Sequence, residues 1–378
     1  SGLTSLAMLA NSLGLPAGTG MEVYLTQLPG TRTKHRCEGW RGSLPPKTPS
    51  QPSRWPRRFS RWPTAAGSVS MSCVALAAVR QPMRPGRVSA VRRVPQHIPR
   101  PDYVEQEVEL DLRSGLPRHP FMYCTEVKTP EQVEKMRKAC ALAREALEVA
   151  RDHIEVGVST DDVDAAVHDF VVSKNAYPSP LGYLGFKKSV STSVNDVIAH
   201  GIPDDRPLEE GDFLNVDVTV FLDGVHGDTS CMFTVGAVDE KGMRLCQAAQ
   251  QATMAGIEVC GPGVDFRMVG ERIQEVADIN ECNVSDLFLG HGIGSYFHGQ
   301  PEVLPYENNK DQGLMLPGMT FTVEPVLVED FDDSFTKWED EWTFQTLTNA
   351  RSAQFEHTIL ITETGVDILT GPSVMQFT

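Results

Sequence analysis

The chain has 378 residues and a net charge of −16, laid out unevenly: residues 1–100 hold 15 Lys and Arg against Glu22 and Glu38 alone, a balance of +13 that leaves −29 on residues 101–378. An acidic body of this size argues against nucleic acid as a partner, and no apolar run approaches the roughly 18 residues that a membrane-spanning helix needs, so a soluble chain is expected. The eight cysteines, at 37, 73, 124, 140, 231, 246, 260 and 282, form no CxxC pair and no regular spacing, which suggests neither a zinc knuckle nor a disulfide framework and leaves reduced thiols in an intracellular compartment as the expectation.

Residues 1–100 are rich in Arg, Pro and Ser, poor in acids and without periodicity, the makeup of a segment that does not fold on its own. Within them the acid-free run from Met71 to Arg100 has the composition of a chloroplast or mitochondrial transit peptide. A plain basic tail on a cytoplasmic protein is the alternative. Residues 101–128 read as a connecting arm without pattern, and the folded domain is expected over 129–378. Thr129-Pro130-Glu131 opens a helix, a hydroxyl before a first-turn proline, and Val133, Met136, Cys140, Ala143, Leu147, Ala150 and Ile154 give it one apolar stripe. Ser159-Thr160-Asp161-Asp162 caps a second helix, with Val163, Val167, Phe170 and Val171 on one side. Both stripes are core. The segment from Tyr177 to Ser191, punctuated by Gly and Pro, is a loop of unusually aromatic composition.

Two alternating runs, Phe213 to Phe221 and Val225 to Val235, flank Asp223-Gly224, a strong short-range hairpin signal. A two-residue loop there sets Asp217 opposite Ser230 and Asp228 opposite Thr219, so the two aspartates share a face of the pleat as diagonal neighbours. Such carboxylates can converge on a pair of cations. Aspartates on a surface hairpin are also commonly solvated, and at the hairpin alone both readings stand open. Helices over 240–260 and 266–279 follow, then GHGIG at 290–294, the strand-like MTFTVEPVLV at 319–328 and AQFEHTILIT at 353–362. Helix pairs alternating with antiparallel strand pairs define an α+β class.

Glu324 and Glu356 repeat the anomaly of Asp217, each an acid inside a β-branched, apolar run; His291 lies between glycines and His298 follows seven residues later. A lone acid or histidine in a strand is usually paired or solvent-facing. Four carboxylates with a histidine on one apolar framework would be very costly to bury uncompensated, and two divalent cations supply the missing charge. Oxygen-rich ligation with one imidazole suits Mn, Fe, Co or Zn.

HGIPDD from His200, NVDVT with Asp217, HGDTSCMF with Asp228, GHGIG with His291, FTVEP with Glu324 and SAQFEHT with Glu356 together resemble a type 1 methionine aminopeptidase over residues 125–370. The resemblance implies the pita-bread fold, two pseudo-symmetric halves around an antiparallel sheet with helices outside. It implies that Asp217 chelates one divalent metal ion, that His291 and Glu324 bind the other, and that Asp228 and Glu356 bridge both. It gives Glu324 the role of proton shuttle, His200 and His298 that of substrate-contacting donors, and Tyr183, Phe186, Phe297 and Trp342 the walls of a methionine pocket, although any of these four could be plain core. A monovalent cation near Asn195, Val197 and Ser352 is implied as well. The expected substrates are N-terminal Met peptides and nascent chains with a small second residue, which brings in the ribosome as a partner; the chain is expected to act as a monomer, away from nucleic acid and membranes.

The sequence departs from some bacterial members at Pro180 and Ser191, where those carry cysteine. The short spacing between His298 and Glu324 and the isolation of Cys37 and Cys73 favour an organellar, bacterial-like type 1 form. Two other readings remain: a proline-specific aminopeptidase or dipeptidase of the same fold, and a non-catalytic pita-bread binding protein.

Overall fold

A computed structural model describes residues 81–377 other than 106, 107, 311 and 333. The expectations placed on residues 1–80 lie outside the described residues. Helix α1 (Pro130–His153) begins where expected, with the Thr129 hydroxyl accepting the Gln132 N–H and the Gln132 side chain accepting the Thr129 N–H. Helix α2 (Thr160–Ser173) is capped by the same reciprocal pair, Ser159 with Asp162. Helices α3 (Glu240–Glu258) and α4 (Arg267–Ile279) pack on each other.

The helices cover an antiparallel nine-stranded sheet. Its strands are β1 (Tyr177–Pro178), β2 (Ser191–Val194), β3 (Phe213–Leu222), β4 (Val225–Thr234), β5 (Gly290–Gly292), β6 (Gly299–Val303), β7 (Thr320–Val323), β8 (Glu356–Ile361) and β9 (Val366–Ile368). The order is β1-β3-β4-β8-β7-β5-β6, with β2 also on β3 and β9 also on β8. The central hairpin closes at Asp223 (φ 52°) and Gly224 (φ 85°), the left-handed pair of a type I′ turn. Its register is the expected one, Asp217 against Ser230 and Thr219 against Asp228.

Helix α1 lies across β3 and β4, while α3 packs on two short strands, Val326–Val328 and Ser352–Gln354. The halves meet where β4 pairs with β8. Apolar side chains of both halves, among them Ala143, Leu147, Val218, Leu245, Ile273 and Phe321, join in one core on the helical side of the sheet. The acids are therefore pushed to the other face. This arrangement is the expected pita-bread architecture.

Residues 81–100, grouped by composition with the basic extension, run without helix or strand along the body and bind it through specific contacts. The Gly86 N–H donates to the Asp204 carboxylate (2.5 Å), Arg92 Nε to the buried Asp164 (2.9 Å), and the Met83 N–H to Asp196 (3.1 Å). The buried Lys188 ammonium is held by Ser89 Oγ at 2.8 Å and by Asp161. Composition alone therefore places the edge of the body later than these contacts do: Arg92, one of the arginines that suggest a targeting signal, is the partner of a buried acid.

Candidate metal centre

The sheet register builds the site. Ser191 on β2 opposes Asp217 on β3, Asp217 opposes Ser230 on β4, and Ser230 opposes Glu356 on β8, four residues in one row. Directly opposed residues point to one face of a sheet, and Asp228, two positions before Ser230, shares that face. Glu324 follows the last residue of β7, whose Val323 opposes His357, so it emerges beside Glu356. His291 lies on β5, the next strand over, with its N–H on the Thr322 hydroxyl (2.9 Å). All five expected ligands thus converge on the face away from the helices.

Asp228, His291 and Glu356 each present a ligand atom within 4.8 Å of the others. The His291 Nε2 lies 3.8 Å from Asp228 Oδ2 and 3.5 Å from Glu324 Oε1, too long for hydrogen bonds and suited to a shared cation. Its Nδ1 lies 3.3 Å from the Gly292 carbonyl, which places the ring proton there and leaves the Nε2 lone pair facing the carboxylates. Burial pulls the His291 pKa down to about 4, so the ring is neutral, as a metal ligand must be. Neighbouring hydroxyls aim the acids: Thr219 donates to Asp228 (2.7 Å) and Thr322 to Glu324 (2.7 Å), with the Gln354 amide at 3.3 Å from the second Glu324 oxygen.

Burial raises the pKa of all four carboxyls, to about 7 for Asp217 and about 8 for Glu324, and well above the ordinary range for Asp228 and Glu356, where neighbouring carboxylates add repulsion. Asp217 Oδ1 is buried with no hydrogen-bond partner. Crowded, desolvated carboxylates, an orphaned oxygen and a lone pair on a neutral imidazole fit divalent cations in donor type and charge.

The expected pocket residues form two groups. In the first, Tyr183 packs on Phe297 (ring centroids 4.8 Å apart) and its hydroxyl lies 2.9 Å from His298 Nδ1, while the His298 ring is 4.3 Å from that of His291. In the second, Trp342 packs edge-on against Phe186 (5.1 Å) and near His200 (5.8 Å), whose ring is further enclosed by Phe288 and Phe344. Burial holds the His200 pKa down to about 4 and that of His298 well below its ordinary value, the latter with help from the surrounding imidazoles. Both rings are neutral near pH 7. The groups named for a monovalent cation are adjacent: the Ser352 N–H donates to the Asn195 carbonyl and its hydroxyl to that of Val197, both at 3.0 Å.

Several residues of the site escaped the sequence reading. His226 stacks on Phe297 (5.3 Å, planes 9° apart) with its Nδ1 on Ser179 Oγ (2.9 Å), and Tyr103 packs edge-on against Tyr183 (4.9 Å). His119 reaches the backbone of His298. His226 had a signal, a histidine in the strand of Asp228; Tyr103 and His119 stand in an arm without periodicity and had none.

A pita-bread sheet that gathers four carboxylates and an imidazole has the ligand set of a metallopeptidase, and the model of metallopeptidase family M24 matches residues 134–363. The chain is 47% identical over 289 residues to the chloroplastic methionine aminopeptidase 1B of Arabidopsis thaliana, covering 76% of this chain and 75% of that one. It is 46% identical over 288 residues to the mitochondrial methionine aminopeptidase 1D of Danio rerio, covering 76% and 82%. The crystal structure of methionine aminopeptidase from Rickettsia prowazekii matches with a TM-score of 0.64 at 43% identity, over 65% of this chain and 100% of that one. The chain belongs to metallopeptidase family M24 and, within it, to the methionine aminopeptidases. It is accordingly a divalent-metal hydrolase that removes N-terminal methionine. No helix among the described residues is long and apolar enough to cross a membrane.

Proposed function

We propose that this methionine aminopeptidase holds two divalent cations, drawn from Co, Mn, Fe and Zn, on Asp217, Asp228, His291, Glu324 and Glu356, and that it acts on peptides and nascent chains whose second residue is small. The observation that carries the reading is the row from Asp217 to Glu356 across three strands, with Asp228 on the same face and an unpartnered Asp217 oxygen. When bound, such cations lower the pKa of water and polarise the carbonyl of the first residue. Glu324, oriented by Thr322 and Gln354, takes the proton of the attacking water on a carboxylate oxygen and returns it to the leaving nitrogen. Burial pushes the Tyr183 phenol pKa up, so its O–H stays protonated and we assign it as the donor to His298 Nδ1. The His298 proton is thereby placed on Nε2, free to donate to the scissile amide as charge develops there. His200, neutral among its aromatic neighbours, is the second donor.

The methionine side chain enters between Tyr183 and Phe297 on one side and Phe186 and Trp342 on the other, an apolar setting suited to a polarizable thioether. The basic balance of residues 1–100 and the organellar relatives support action in chloroplasts or mitochondria. The test of substrate choice compares Met-Ala-Ser, Met-Leu-Ser and Ala-Pro-Ser under one metal loading. Met-Ala-Ser is expected to be cleaved fastest and Met-Leu-Ser poorly. Faster cleavage of Ala-Pro-Ser would overturn the substrate assignment in favour of proline-specific chemistry.

A further inference from the structure

One histidine of the connecting arm reaches the backbone of the catalytic machinery. The His119 ring is half-buried and stacks on Tyr296 with centroids 4.3 Å apart and planes 2° from parallel. Its Nδ1 accepts the Phe121 backbone N–H at 3.1 Å, so the ring proton resides on Nε2. That Nε2 lies 2.8 Å from the His298 carbonyl oxygen. Burial lowers the His119 pKa, which keeps this neutral tautomer in place near pH 7. Two residues beyond His298, the Gln300 N–H donates to the Phe121 carbonyl at 3.2 Å. The fit is close: a Cβ on Gly299 would meet Tyr296 at 2.4 Å and His119 at 2.8 Å. The arm from His119 to Phe121 therefore grips the backbone of residues 298–300, while Tyr183 grips the His298 ring from the other end.

We propose that His119 is a positioning residue for methionine removal: by donating from Nε2 to the His298 carbonyl, it fixes the backbone from which the His298 ring is presented to the scissile amide. The inference rests on the reading of His298 as a donor to the reacting amide. A hydrogen bond made in the transition state is sensitive to placement, and a shift of about 1 Å at a reacting group costs on the order of 10²-fold in rate. Release of one backbone anchor, with the Tyr183 contact intact, is a partial version of that shift. The rate should fall roughly tenfold or more while substrate and metal affinity change little.

A purely structural wedge would also hold this segment, and a mutant cycle on the metal-loaded enzyme separates the two. His119→Phe keeps a ring against Tyr296 and removes both nitrogens; His119→Gln restores an amide N–H with similar reach. With Met-Ala-Ser as substrate, His119→Phe should lower kcat about tenfold or more with KM and metal content within about twofold, and His119→Gln should recover most of the loss. In a His298→Ala background the same His119→Phe change should cost nothing further, because the two residues act as one unit. If His119→Phe does not fold, His119→Asn, too short to span to the carbonyl, replaces it in the cycle. An unchanged kcat in His119→Phe, or an equal loss with and without His298, overturns the proposal. Wild-type turnover in His298→Ala alone would remove the reading of His298 and this inference with it, whereas a deep loss there beside an unaffected His119→Phe removes the inference only.

Discussion

Asp217 and Glu324 carry the conflict between fold and charge in its clearest form. Each interrupts a run of β-branched and apolar residues, and burial raises their pKa values to about 7 and about 8. In the unfolded chain both carboxyls are ionised above about pH 5. Between pH 6.5 and 8 the cation-free folded protein therefore binds more protons than the unfolded chain, so its stability falls as pH rises. His200 and His291, held down to about 4, act in the opposite sense: the stability they add is complete well above the unfolded value of about 6.5 and is lost as pH falls through it, so they offset part of the effect at the lower edge of this window and none of it near pH 8. A bound divalent cation favours the ionised carboxylates and removes the effect. The expected result is that Tm of the chelator-treated protein drops from pH 6.5 to pH 8, and that the metal-loaded protein shows a smaller drop or none. A chelated protein that gains stability over this range would contradict the burial of the acids as the cause.

The central hairpin shows which features a sequence makes legible at the scale of elements. Asp223-Gly224 fixes a two-residue loop, and counting back from it fixes the pairing of Asp217 and Asp228 residue by residue. Glu324 and Glu356 could be found because, added to the two aspartates of the hairpin, they make four carboxylates in apolar runs, too many to bury uncompensated. The hydroxyls of Thr219 and Thr322 that aim Asp228 and Glu324 could not, since threonine is an ordinary strand residue. Contacts such as Gly86 to Asp204, or His119 to His298, are single hydrogen bonds from irregular backbone and leave no period to detect. The same hairpin separates two glycines. Gly224 sits at φ 85° with nothing within 4 Å of an added Cβ, whereas a Cβ on Gly227 would meet the backbone of α1 at Ala139 and Cys140, both at 2.5 Å. Gly224→Ala should lower stability by ~1–2 kcal/mol through backbone strain and leave the site untouched. Gly227→Ala should cost ~1–3 kcal/mol and also displace Asp228, its neighbour, from the metal centre. Thermal melts with metal titrations would distinguish them; equal metal affinity in both mutants would mean that α1 does not set the position of β4.

For the whole molecule, the question is where the body begins. Residues 81–100 share the Arg- and Pro-rich composition of the residues before them, yet they supply partners to acids and a lysine that the body buries. Asp164 has a fully buried side chain paired with Arg92 Nε at 2.9 Å, and Lys188, also fully buried, is bound by Ser89 and Asp161. Removal of Arg92 leaves Asp164 with the Ser189 and Val190 N–H groups alone. Stripping one member from a buried pair typically costs ~3–5 kcal/mol, because the remaining charge stays desolvated. The retained N–H bonds to Asp164 offset part of that loss, so ~2–3 kcal/mol is expected at this site. A chain starting at Gln81 keeps these contacts, and one starting at Pro101 should melt lower than it and tend to aggregate. If an organelle removes a targeting segment, the mature N-terminus should fall at or before Gln81, where the contacts with Asp196 and Asp204 are still ahead. N-terminal sequencing of the protein recovered from chloroplasts or mitochondria reads this directly, and a mature form that begins at residue 101 with undiminished stability would show that the hydrogen bonds of Ser89 and the ion pair of Arg92 do not hold the body together.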